Sequence, residues 1–362
     1  MTLFDSPAFE AHEGVHAFAD PRGGWTAVIA VHSTARGPAA GGCRMWAYPT
    51  SEAALEDALK LSRAMSFKNA VADLDLGGGK AVIIGDSRTS KTPALFEAFG
   101  RAVEAVGGRY WTAEDVGVSP ADLQHARRHT RYVAGLEGHP AASGDPSPVT
   151  AEGVFRGLTL AVRHAYGLDG LEGLTVAVQG VGHVGAYLCD KLHAAGARLV
   201  IADVNAAALG AAAARTGATI VSPEAIFDVE AEVFAPCALG GAVSLETLDR
   251  LSARVIAGGA NNQLAGHEAG RVLFERGLVY APDYVINGGG IINVAAEIRA
   301  LEAGAAYDPA WVEAKLARLM DTLDEVLRRS AAEGRPTHEI ANEIARARIE
   351  QARPAAPRAA AA

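Results

Sequence analysis

The sequence has few cysteines, no long apolar run and no excess of basic residues. Its three cysteines, Cys43, Cys189 and Cys237, lie far apart and form no C-x-x-C pair, which excludes a disulfide scaffold and a zinc finger and predicts a reducing compartment. No stretch of about 18 uninterrupted apolar residues occurs, so no membrane span is expected. The acidic start, MTLFDSPAFEAHEG, lacks the apolar core of a signal peptide. We therefore expect a soluble, cytoplasmic protein.

The balance of charge is acidic. Lysine and arginine number 33 against 42 aspartates and glutamates, for a net charge of −9. Without a basic cluster to meet phosphates, nucleic-acid binding is not expected, and no metal site is expected either. With 49% hydrophobic and 21% charged residues, the composition is that of a globular protein. At ~100–200 residues per domain, the 362 residues predict two domains.

The apolar pattern changes at a Pro/Gly/Ser-rich segment, residues 138–149, which we interpret as a domain boundary or hinge. Before it, the pattern predicts a hairpin over 15–31 with its turn at 21–24, a helix over 52–67 with Ser51 as N-cap, and a glycine run leading into a short strand at 81–84. Beyond it, helix-length segments separate most of the strand-like runs, which are 174–179, 199–203, 218–221, 232–235, 255–259 and 278–281. This alternation predicts a parallel, doubly wound α/β sheet. Two more helices are predicted near 309–331 and 337–352, before a disordered tail over 353–362.

A G-x-G-x-x-G motif directly follows the first of these strands, in LTVAVQGVGHVG. In such a motif Gly180 permits the tight turn, Gly182 lets the backbone approach a pyrophosphate, and Gly185 allows close packing of helix on strand. The helix that follows offers free N–H groups to the phosphates. Asp203 ends the next strand, where a carboxylate accepts hydrogen bonds from ribose hydroxyls and repels a 2′-phosphate, which favours NAD over NADP. The alternative is a glycine-rich turn that binds nothing, and we interpret His183 within the loop as a solvent-facing spacer.

Two lysines lie near glycine-rich or apolar segments. Lys68 continues the stripe of the predicted helix that contains Leu59 and Met65, and Lys80 follows three glycines at the start of an apolar strand. Buried lysines are rare unless paired, and desolvation together with a neighbouring cation moves a lysine towards general-base behaviour. The alternatives are a helix-end lysine that reaches solvent for Lys68 and a phosphate-binding lysine for Lys80. A P-loop is excluded, because Ala81 and a strand follow Lys80 where a Ser or Thr and a helix are needed.

Several motifs together resemble the glutamate/leucine/phenylalanine/valine dehydrogenase family, and the leucine-type enzymes resemble this chain most. The resemblance covers nearly the whole chain to about residue 350, with the motifs in consistent order and spacing. The motifs are GGCRMW (41–46), SFKNA (66–70), LDLGGGKAVIIGD (74–86), TAEDVG (112–117), SGDPSPVTAEG (143–153), VAVQGVGHVG (176–185), FAPCALG (234–240), IAGGANNQL (256–264) and YAPDYVINGGGIINVA (280–295).

The resemblance implies NAD-dependent oxidative deamination of an L-amino acid to a 2-oxo acid and ammonium. It assigns water activation to Lys80, substrate-carboxylate binding to Lys68, and proton exchange with the amino group to Asp115. Asn262 resembles an amide that also holds the carboxylate, while Asn261 and Thr150 resemble contacts to the cofactor. Taken singly, Asp115 has an alternative as a turn residue and Asn262 as a helix cap. Further cofactor contacts are implied at Val181, His183, Val184, Cys237 and Ala238.

In this family the residue before the Gly-Gly of GGCR helps to set specificity. Glutamate enzymes carry a lysine where this chain has Ala40 and a serine where it has Val294. Because burial of an unpaired carboxylate costs several kcal/mol, glutamate is disfavoured as the main substrate. Leucine-type enzymes usually carry leucine where this chain has Ala40, a departure that enlarges the pocket. The substrate-wall residues implied are Ala40, Gly41, Met65, Ala113, Ile291 and Val294.

We therefore expect a branched-chain or other aliphatic amino acid as substrate, with phenylalanine or a broad specificity as the alternative. A catalytically silent NAD-binding regulator is the alternative of another class, and a hydroxy-acid dehydrogenase is disfavoured because no histidine occupies a comparable motif. The expected architecture is α/β. Residues 1–145, with the returning helix 332–352, form the substrate and oligomerisation domain, and residues 146–331 form a Rossmann-type dinucleotide-binding domain. A homo-oligomer, from dimer to octamer, is implied by the resemblance.

Overall fold

In a computed structural model of the protein, the described residues are 3–20 and 23–353. Pro21 and Arg22 of the predicted turn, and residues 354–362 of the predicted tail, lie outside these ranges. The chain divides into two compact units. The first comprises Met1–Gly144, Val294–Asp308 and Ile344–Ala362, and the second comprises Asp145–Asn293 and Pro309–Glu343. No helix in the described ranges has the length and apolar character that crossing a membrane requires.

A six-stranded mixed sheet forms the centre of the first unit. Its strands are β1 (Gly14–Asp20), β2 (Trp25–Ser33), β3 (Ala39–Ala40), β4 (Cys43–Trp46), β5 (Gly77–Ile84) and β6 (Tyr110–Trp111). The strand order is β1-β2-β5-β3-β6, and β4 also pairs with β5. Strands β1 and β2 are antiparallel neighbours, which confirms the predicted hairpin. The helices before residue 144 are α1 (Ser51–Val71), α2 (Pro93–Ala105) and α3 (Pro120–Arg127), and a short 3₁₀ helix covers Leu3–Asp5.

The alternation of side chains along β2 and β5 separates the core of this unit into two layers. Ile29 and Ile83 pack with apolar residues of α2 and α3 on one face of the sheet. Ala30, the residue after Ile29, and Val82, the residue before Ile83, pack with apolar residues of α1 on the other face. Strands with both faces covered need apolar residues at successive positions, as the run AVII shows.

Two details of the first unit differ from the sequence predictions. The N-cap of α1 is Thr50, whose hydroxyl accepts the N–H of Ala53 at 3.1 Å, so the assignment of Ser51 was wrong by one residue. Adjacent hydroxyl residues can both cap a helix, and the sequence pattern does not discriminate between them. Strand β5 begins at Gly77, four residues before the predicted strand, because the glycine run itself pairs with β2 and β3. Glycine is depleted in strands, which concealed this part of β5.

A parallel six-stranded sheet forms the centre of the second unit. Its strands are β7 (Thr175–Gln179), β8 (Arg198–Ala202), β9 (Thr219–Ile220), β10 (Val233–Pro236), β11 (Val255–Ile256) and β12 (Val279–Tyr280). Each coincides with a predicted strand, and every pairing is parallel. The order β12-β11-β10-β7-β8-β9 confirms a doubly wound sheet, and it reverses direction between β7 and β10. Ligands of such sheets bind beyond the carboxyl ends of the strands at this reversal.

Of the remaining helices, those between the strands of the second sheet and the last two were predicted, whereas helices over 147–166, 283–286 and 289–303 were not. The last two begin at the predicted residues 309 and 337. They are α4 (Ser147–Tyr166), α5 (His183–Ala194), α6 (Ala206–Thr216), α7 (Leu245–Leu248), α8 (His267–Glu275), α9 (Asp283–Ile286), α10 (Gly289–Ala303), α11 (Pro309–Glu333) and α12 (Thr337–Ala352), with a 3₁₀ helix over Ala225–Asp228.

Residues 332–343, which the prediction put in the first unit with the returning helix, belong to the second unit. Residues 294–308 belong to the first unit, although the predicted ranges put them in the second. The cause is the buried carboxylate of Glu297 in α10, which is 2% exposed. It accepts the N–H groups of Gly135 (2.9 Å), Leu136 (3.3 Å) and Ser143 (3.1 Å) and the hydroxyl of Ser143 (2.7 Å). A buried carboxylate with this many donors fastens the segment 135–143 to α10.

We expect the Glu297→Gln variant to lower the free energy of unfolding by about 2 kcal/mol, because the amide nitrogen of glutamine would face N–H donors. Chemical denaturation followed by far-UV circular dichroism measures this. Glu302→Gln, at an exposed position of the same helix, is the matched control and should change the free energy by less than about 0.5 kcal/mol. Equal effects of the two substitutions would contradict a stabilising role for the hydrogen bonds between Glu297 and the segment 135–143.

Candidate active site

The glycine run at the start of β5 lies in close contact with its neighbours on every side. A Cβ atom on Gly77 would collide with the carbonyl oxygen of Ser33, and one on Gly78 with the backbone nitrogen of Ser66 in α1. A Cβ on Gly79 would lie 2.7 Å from Cδ2 of Tyr110 in β6. These contacts leave no room for side chains at the three positions, so the strand requires glycine there. The backbone of β5 is thereby held against β2, α1 and β6 immediately before Lys80.

Lys80 is buried, with 5% of its surface exposed, and its ammonium contacts a carboxylate. Nζ of Lys80 lies 2.7 Å from Oδ2 of Asp115. The backbone of β4 holds the segment that carries Asp115, because the N–H groups of Cys43 and Met45 donate to the carbonyls of Ala113 and Val116 at 2.8 and 2.9 Å. The structure thus brings together Lys80 and Asp115, the two residues predicted to be catalytic.

Arg44 joins this pair, a residue that the sequence reasoning missed. Its Nε donates to Oδ2 of Asp115 at 3.1 Å and its Nη1 to Oδ2 of Asp57 at 3.0 Å. The hydroxyl of Tyr48 donates to the same oxygen of Asp57. The only signal in the sequence is a charged residue between Cys43 and Met45 in a short apolar segment, which places Arg44 on the opposite face of β4 from both.

The charges of this cluster determine the ionisation of Asp115. Burial raises the pKa of the Asp115 carboxyl, but the cations of Lys80 and Arg44 outweigh burial, and the pKa lies below its usual value. Cys43 and Tyr110, in the core layer on the other face of the sheet, are close enough to interact with the charge of Asp115. Burial raises the pKa of the Cys43 thiol and of the Tyr110 phenol, so both stay protonated at neutral pH. Asp115 is therefore a carboxylate beside a buried ammonium, an arrangement suited to proton exchange.

The predicted substrate-side residues of the first unit lie on three neighbouring elements. Lys68 is half-buried in the last turn of α1, three residues beyond Met65 and thus on the same helical face. A Cβ on Gly41 would lie 3.0 Å from Cγ of Met65. Ala40 in β3 and Ala113 after β6 are buried, at 1% and 8% exposed. In α10, Val294 of the first unit and Ile291 of the second are half-buried.

The glycine-rich loop of the second unit has the geometry that the motif predicts. Gly180 has a φ of +95°, which favours glycine, and a Cβ there would lie 2.7 Å from the backbone nitrogen of Ala238 after β10. A Cβ on Gly185 would collide with the carbonyl oxygen of Gly180, so α5 packs directly on the turn. Gly182 is exposed and has no atom within 4 Å of its Cβ position. It is the N-cap of α5 and carries no side-chain cap.

Asp203 follows β8 and contacts this loop directly. Its Oδ2 accepts the N–H of Val181 at 2.7 Å, and its Oδ1 accepts the N–H of Asn205 at 2.8 Å. Each carboxylate oxygen has a second lone pair that can accept a hydrogen bond from a hydroxyl group. Among the other loop residues, His183 is exposed, as expected of a spacer, and Val184 is half-buried.

The remaining predicted cofactor residues surround the carboxyl ends of β10 and β11. Cys237 follows β10, and burial raises the pKa of its thiol to about 11. Its Sγ accepts the N–H of Gly259 at 3.3 Å. Ala238 is exposed, whereas Thr150 of α4 is buried and its hydroxyl donates to the carbonyl of Pro146 at 2.9 Å.

Asn261 and Asn262 lie on a loop held by a second residue that the sequence reasoning missed. The buried amide of Asn287 donates to the carbonyl of Gly259 at 3.2 Å and to Oδ1 of Asn261 at 2.8 Å. Asn262 has a φ of +53°, and its N–H donates to Asp283 at 2.5 Å. Both Asn261 and Asn262 are exposed. Asn287 lies in the motif YAPDYVINGGG, but its position alone does not reveal the contact with a loop 26 residues earlier.

These features of the second unit fit a dinucleotide. The loop lies at the reversal of strand order, Gly182 leaves open space, and the first turn of α5 presents N–H groups that suit phosphates. No group of three or more metal-binding side chains occurs within the described residues.

Comparison with known proteins gives matches across nearly the whole chain. The family model "Glu/Leu/Phe/Val dehydrogenase, dimerisation domain" matches residues 12–132, and "Glutamate/Leucine/Phenylalanine/Valine dehydrogenase" matches residues 202–356. The chain is 46% identical over 353 residues to leucine dehydrogenase of Thermoactinomyces intermedius, covering 98% of this chain and 95% of that protein. It is 42% identical to phenylalanine dehydrogenase of Bacillus thermotolerans, covering 96% and 91%. The crystal structure of L-tryptophan dehydrogenase from Nostoc punctiforme matches with a TM-score of 0.82 and 38% identity, covering 94% and 97%.

We expect Gly185→Ala to weaken NADH binding about tenfold, because the added methyl group would push α5 away from the turn at Gly180. Titration followed by nicotinamide fluorescence measures the affinity. Gly210→Ala in α6 is the control in the same unit, since nothing lies within 4 Å of a Cβ there. That variant should bind NADH as the wild type does. Unchanged binding in Gly185→Ala would mean that this loop does not hold the dinucleotide.

Proposed function

The chain belongs to the Glu/Leu/Phe/Val dehydrogenase family, and on that premise we propose that it catalyses the reversible, NAD-dependent oxidative deamination of an apolar L-amino acid. The products are a 2-oxo acid and ammonium. The observation that carries the proposal is the ion pair between Nζ of the buried Lys80 and Oδ2 of the half-buried Asp115, 2.7 Å apart.

Lys80 and Asp115 share the proton transfers of this reaction. Asp115, held ionised by two cations, accepts a proton from the substrate ammonium, so that the amine lone pair is available as the Cα–H bond breaks. Asp115 passes that proton to solvent, and Lys80 orients the water that adds to the resulting iminium carbon. The proton that the water loses is taken up by Asp115 and passed to the nitrogen, so that ammonia leaves as the carbonyl forms and is released as ammonium once it takes the hydroxyl proton. The half-buried Lys68 contributes the cation that binds the substrate carboxylate.

The dinucleotide supplies the hydride acceptor of the oxidative direction. Gly180, Gly182 and Gly185 would hold its pyrophosphate with the first turn of α5, and Asp203 its ribose hydroxyls. Thr150, Asn261, Cys237 and Ala238 are proposed contacts around the ends of β10 and β11. Asn262 is proposed as an amide donor to the substrate carboxylate.

The substrate side chain is proposed to be aliphatic. Ala40, Ala113 and Val294 cannot pair a charge, so a second carboxylate on the substrate would be buried without a partner. Phenylalanine remains the second candidate, because Ala40 is a small side chain and relatives of 42% identity include a phenylalanine dehydrogenase.

The first experiment measures NADH formation with leucine, valine, isoleucine, methionine, phenylalanine and glutamate. We expect the highest kcat/KM with the branched-chain substrates and the lowest with glutamate. Lys80→Ala should lower kcat by a factor of about 10² to 10⁴, the usual contribution of a positioned proton-transfer group. It should leave NADH binding unchanged.

The control is Lys60→Ala, which removes an exposed lysine of α1 that pairs with Glu56 at 2.5 Å. It should retain wild-type kcat. If kcat/KM is highest with phenylalanine, the substrate is an aromatic amino acid and not an aliphatic one. No turnover with any amino acid, together with intact NADH binding, would support the silent regulator instead.

Asp203 is proposed to select NAD over NADP, and Asp203→Asn tests this with little change in shape. Loss of the negative charge removes repulsion of a 2′-phosphate, so the ratio of kcat/KM for NADP to that for NAD should rise about tenfold. Asp190→Asn, which neutralises a carboxylate of α5 paired with Arg215 at 3.0 Å, should leave the ratio unchanged. A constant ratio in Asp203→Asn would show that other groups select the cofactor.

We further propose that the first unit forms a homo-oligomer of two to eight copies, supported by the match of residues 12–132 to a dimerisation domain. A cytoplasmic setting is supported by the three cysteines, which are free thiols in the structure.

A further inference from the structure

We propose that Arg44 is a positioning residue for the reaction, which orients and charges the carboxylate of Asp115 through a bridge that Asp57 and Tyr48 hold in place. The inference rests on the proposed amino-acid dehydrogenase function and adds a residue to its machinery.

The geometry of Asp115 carries the first step. Lys80 and Arg44 both contact the same oxygen, Oδ2, at 2.7 and 3.1 Å. Two donors on one oxygen fix the rotation of the carboxylate about the Cβ–Cγ bond, and they thereby set the direction of Oδ1. Lys80 alone could not do this, because an ammonium is a point charge on a flexible stem, whereas a guanidinium is a planar fork.

Arg44 is itself held on two sides. Nε contacts Asp115 and Nη1 contacts Asp57 of α1, at 3.1 and 3.0 Å, so the guanidinium bridges two carboxylates. The Tyr48 hydroxyl donates to the Asp57 oxygen that Nη1 also contacts. The side chains of Arg44 and Asp57 are only 25% and 27% exposed, which protects the bridge from solvent screening. A residue with such support keeps its orientation when a substrate approaches Asp115.

Lys80 of β5 and Arg44 of β4 contact Asp115 directly, and Asp57 of α1 lies beyond Arg44. Cys43 of β4 and Tyr110 of β6 interact with its charge from the core layer on the other face of the sheet. Because Cys43 and Tyr110 stay protonated at neutral pH, the two cations are the charged groups that stabilise the negative charge of Asp115, and a backbone hydrogen bond from Val116 adds to them. Removal of Arg44 leaves Lys80 as the one cation in contact with Asp115.

The experiment compares Arg44→Gln and Arg44→Lys with the wild type in the oxidative direction over a range of pH. We expect kcat/KM of Arg44→Gln to fall at least tenfold and the acid limb of its pH profile to move up by about one pH unit. The reason for the shift is that removal of a cation makes every group facing it hold its proton more tightly. Arg44→Lys keeps the charge but cannot bridge two carboxylates, so its limb should move less while its kcat/KM still falls.

A double-mutant cycle with Asp115→Asn separates positioning from a general structural role. If Arg44 acts through Asp115, replacing Arg44 should cost at least tenfold in the wild type and less than about threefold in the Asp115→Asn background. Equal losses in both backgrounds, or an acid limb that Arg44→Gln leaves in place, would overturn the proposal. If Arg44→Gln does not fold, the same cycle with Arg44→Lys decides.

The matched control is Arg36→Gln. Arg36 contacts Asp73 at 2.9 Å and the carbonyl of Leu74 at 2.9 Å in the same unit, and its side chain is 14% exposed. Its loss also breaks a half-buried ion pair, but it should leave the acid limb in place and its effect should be the same with and without Asp115→Asn. Absence of turnover by the wild-type enzyme would refute the dehydrogenase function itself. Normal turnover by the wild type, with an acid limb that is the same in Arg44→Gln, would refute only the role of Arg44.

Discussion

The close approach of the β5 glycines to their neighbours is the constraint on which the active-site unit depends. Gly77, Gly78 and Gly79 meet β2, α1 and β6 at distances that admit no Cβ atom. The strand therefore continues into a tightly enclosed environment, and the next residue, Lys80, is buried. A buried ammonium requires a partner, and the contact of β4 with the segment 113–116 supplies Asp115. The position of the ion pair thus depends on the three glycines, because only residues without a side chain allow β5 to pack this closely.

The same unit stabilises a half-buried and a buried carboxylate in two ways. Asp115 is balanced by charges, in a cluster whose two cations, Lys80 and Arg44, match its two anions, Asp115 and Asp57. Glu297 instead accepts backbone N–H groups and one hydroxyl. N–H groups of the backbone are fixed in position and take no part in proton transfer, which suits a purely structural contact. Charged side chains can exchange protons and respond to a zwitterionic ligand, which suits a reaction.

The six strands of the second unit were predictable from the sequence, because they are short apolar runs that alternate with helix-length segments and carry a motif at a fixed place in the topology. The first unit was less predictable. Strands β3 and β6 have two residues each, too few for a periodic pattern, and the glycines of β5 do not resemble a strand. Family motifs predicted that Lys80 and Asp115 are catalytic, and the structure places them in contact. Arg44 and Asn287 were not singled out, because their contacts join segments distant in the chain. Contacts of that kind follow from the fold and have no local signal.

The two glycine-rich segments show why composition alone does not assign a function to glycine. In both, glycine permits a backbone to approach another group closely, but the element that follows decides which group. Gly77–Gly79 begin strand β5 and pair with β2 and β3 in its ladders, so the approaching groups are other parts of the protein. Helix α5 follows Gly180–Gly182, and the N–H groups of its first turn have no intrahelical acceptor. Those donors, and the open space at Gly182, suit an anionic ligand. The first segment therefore buries the lysine that we propose to be catalytic, and the second presents the surface that we propose for the cofactor.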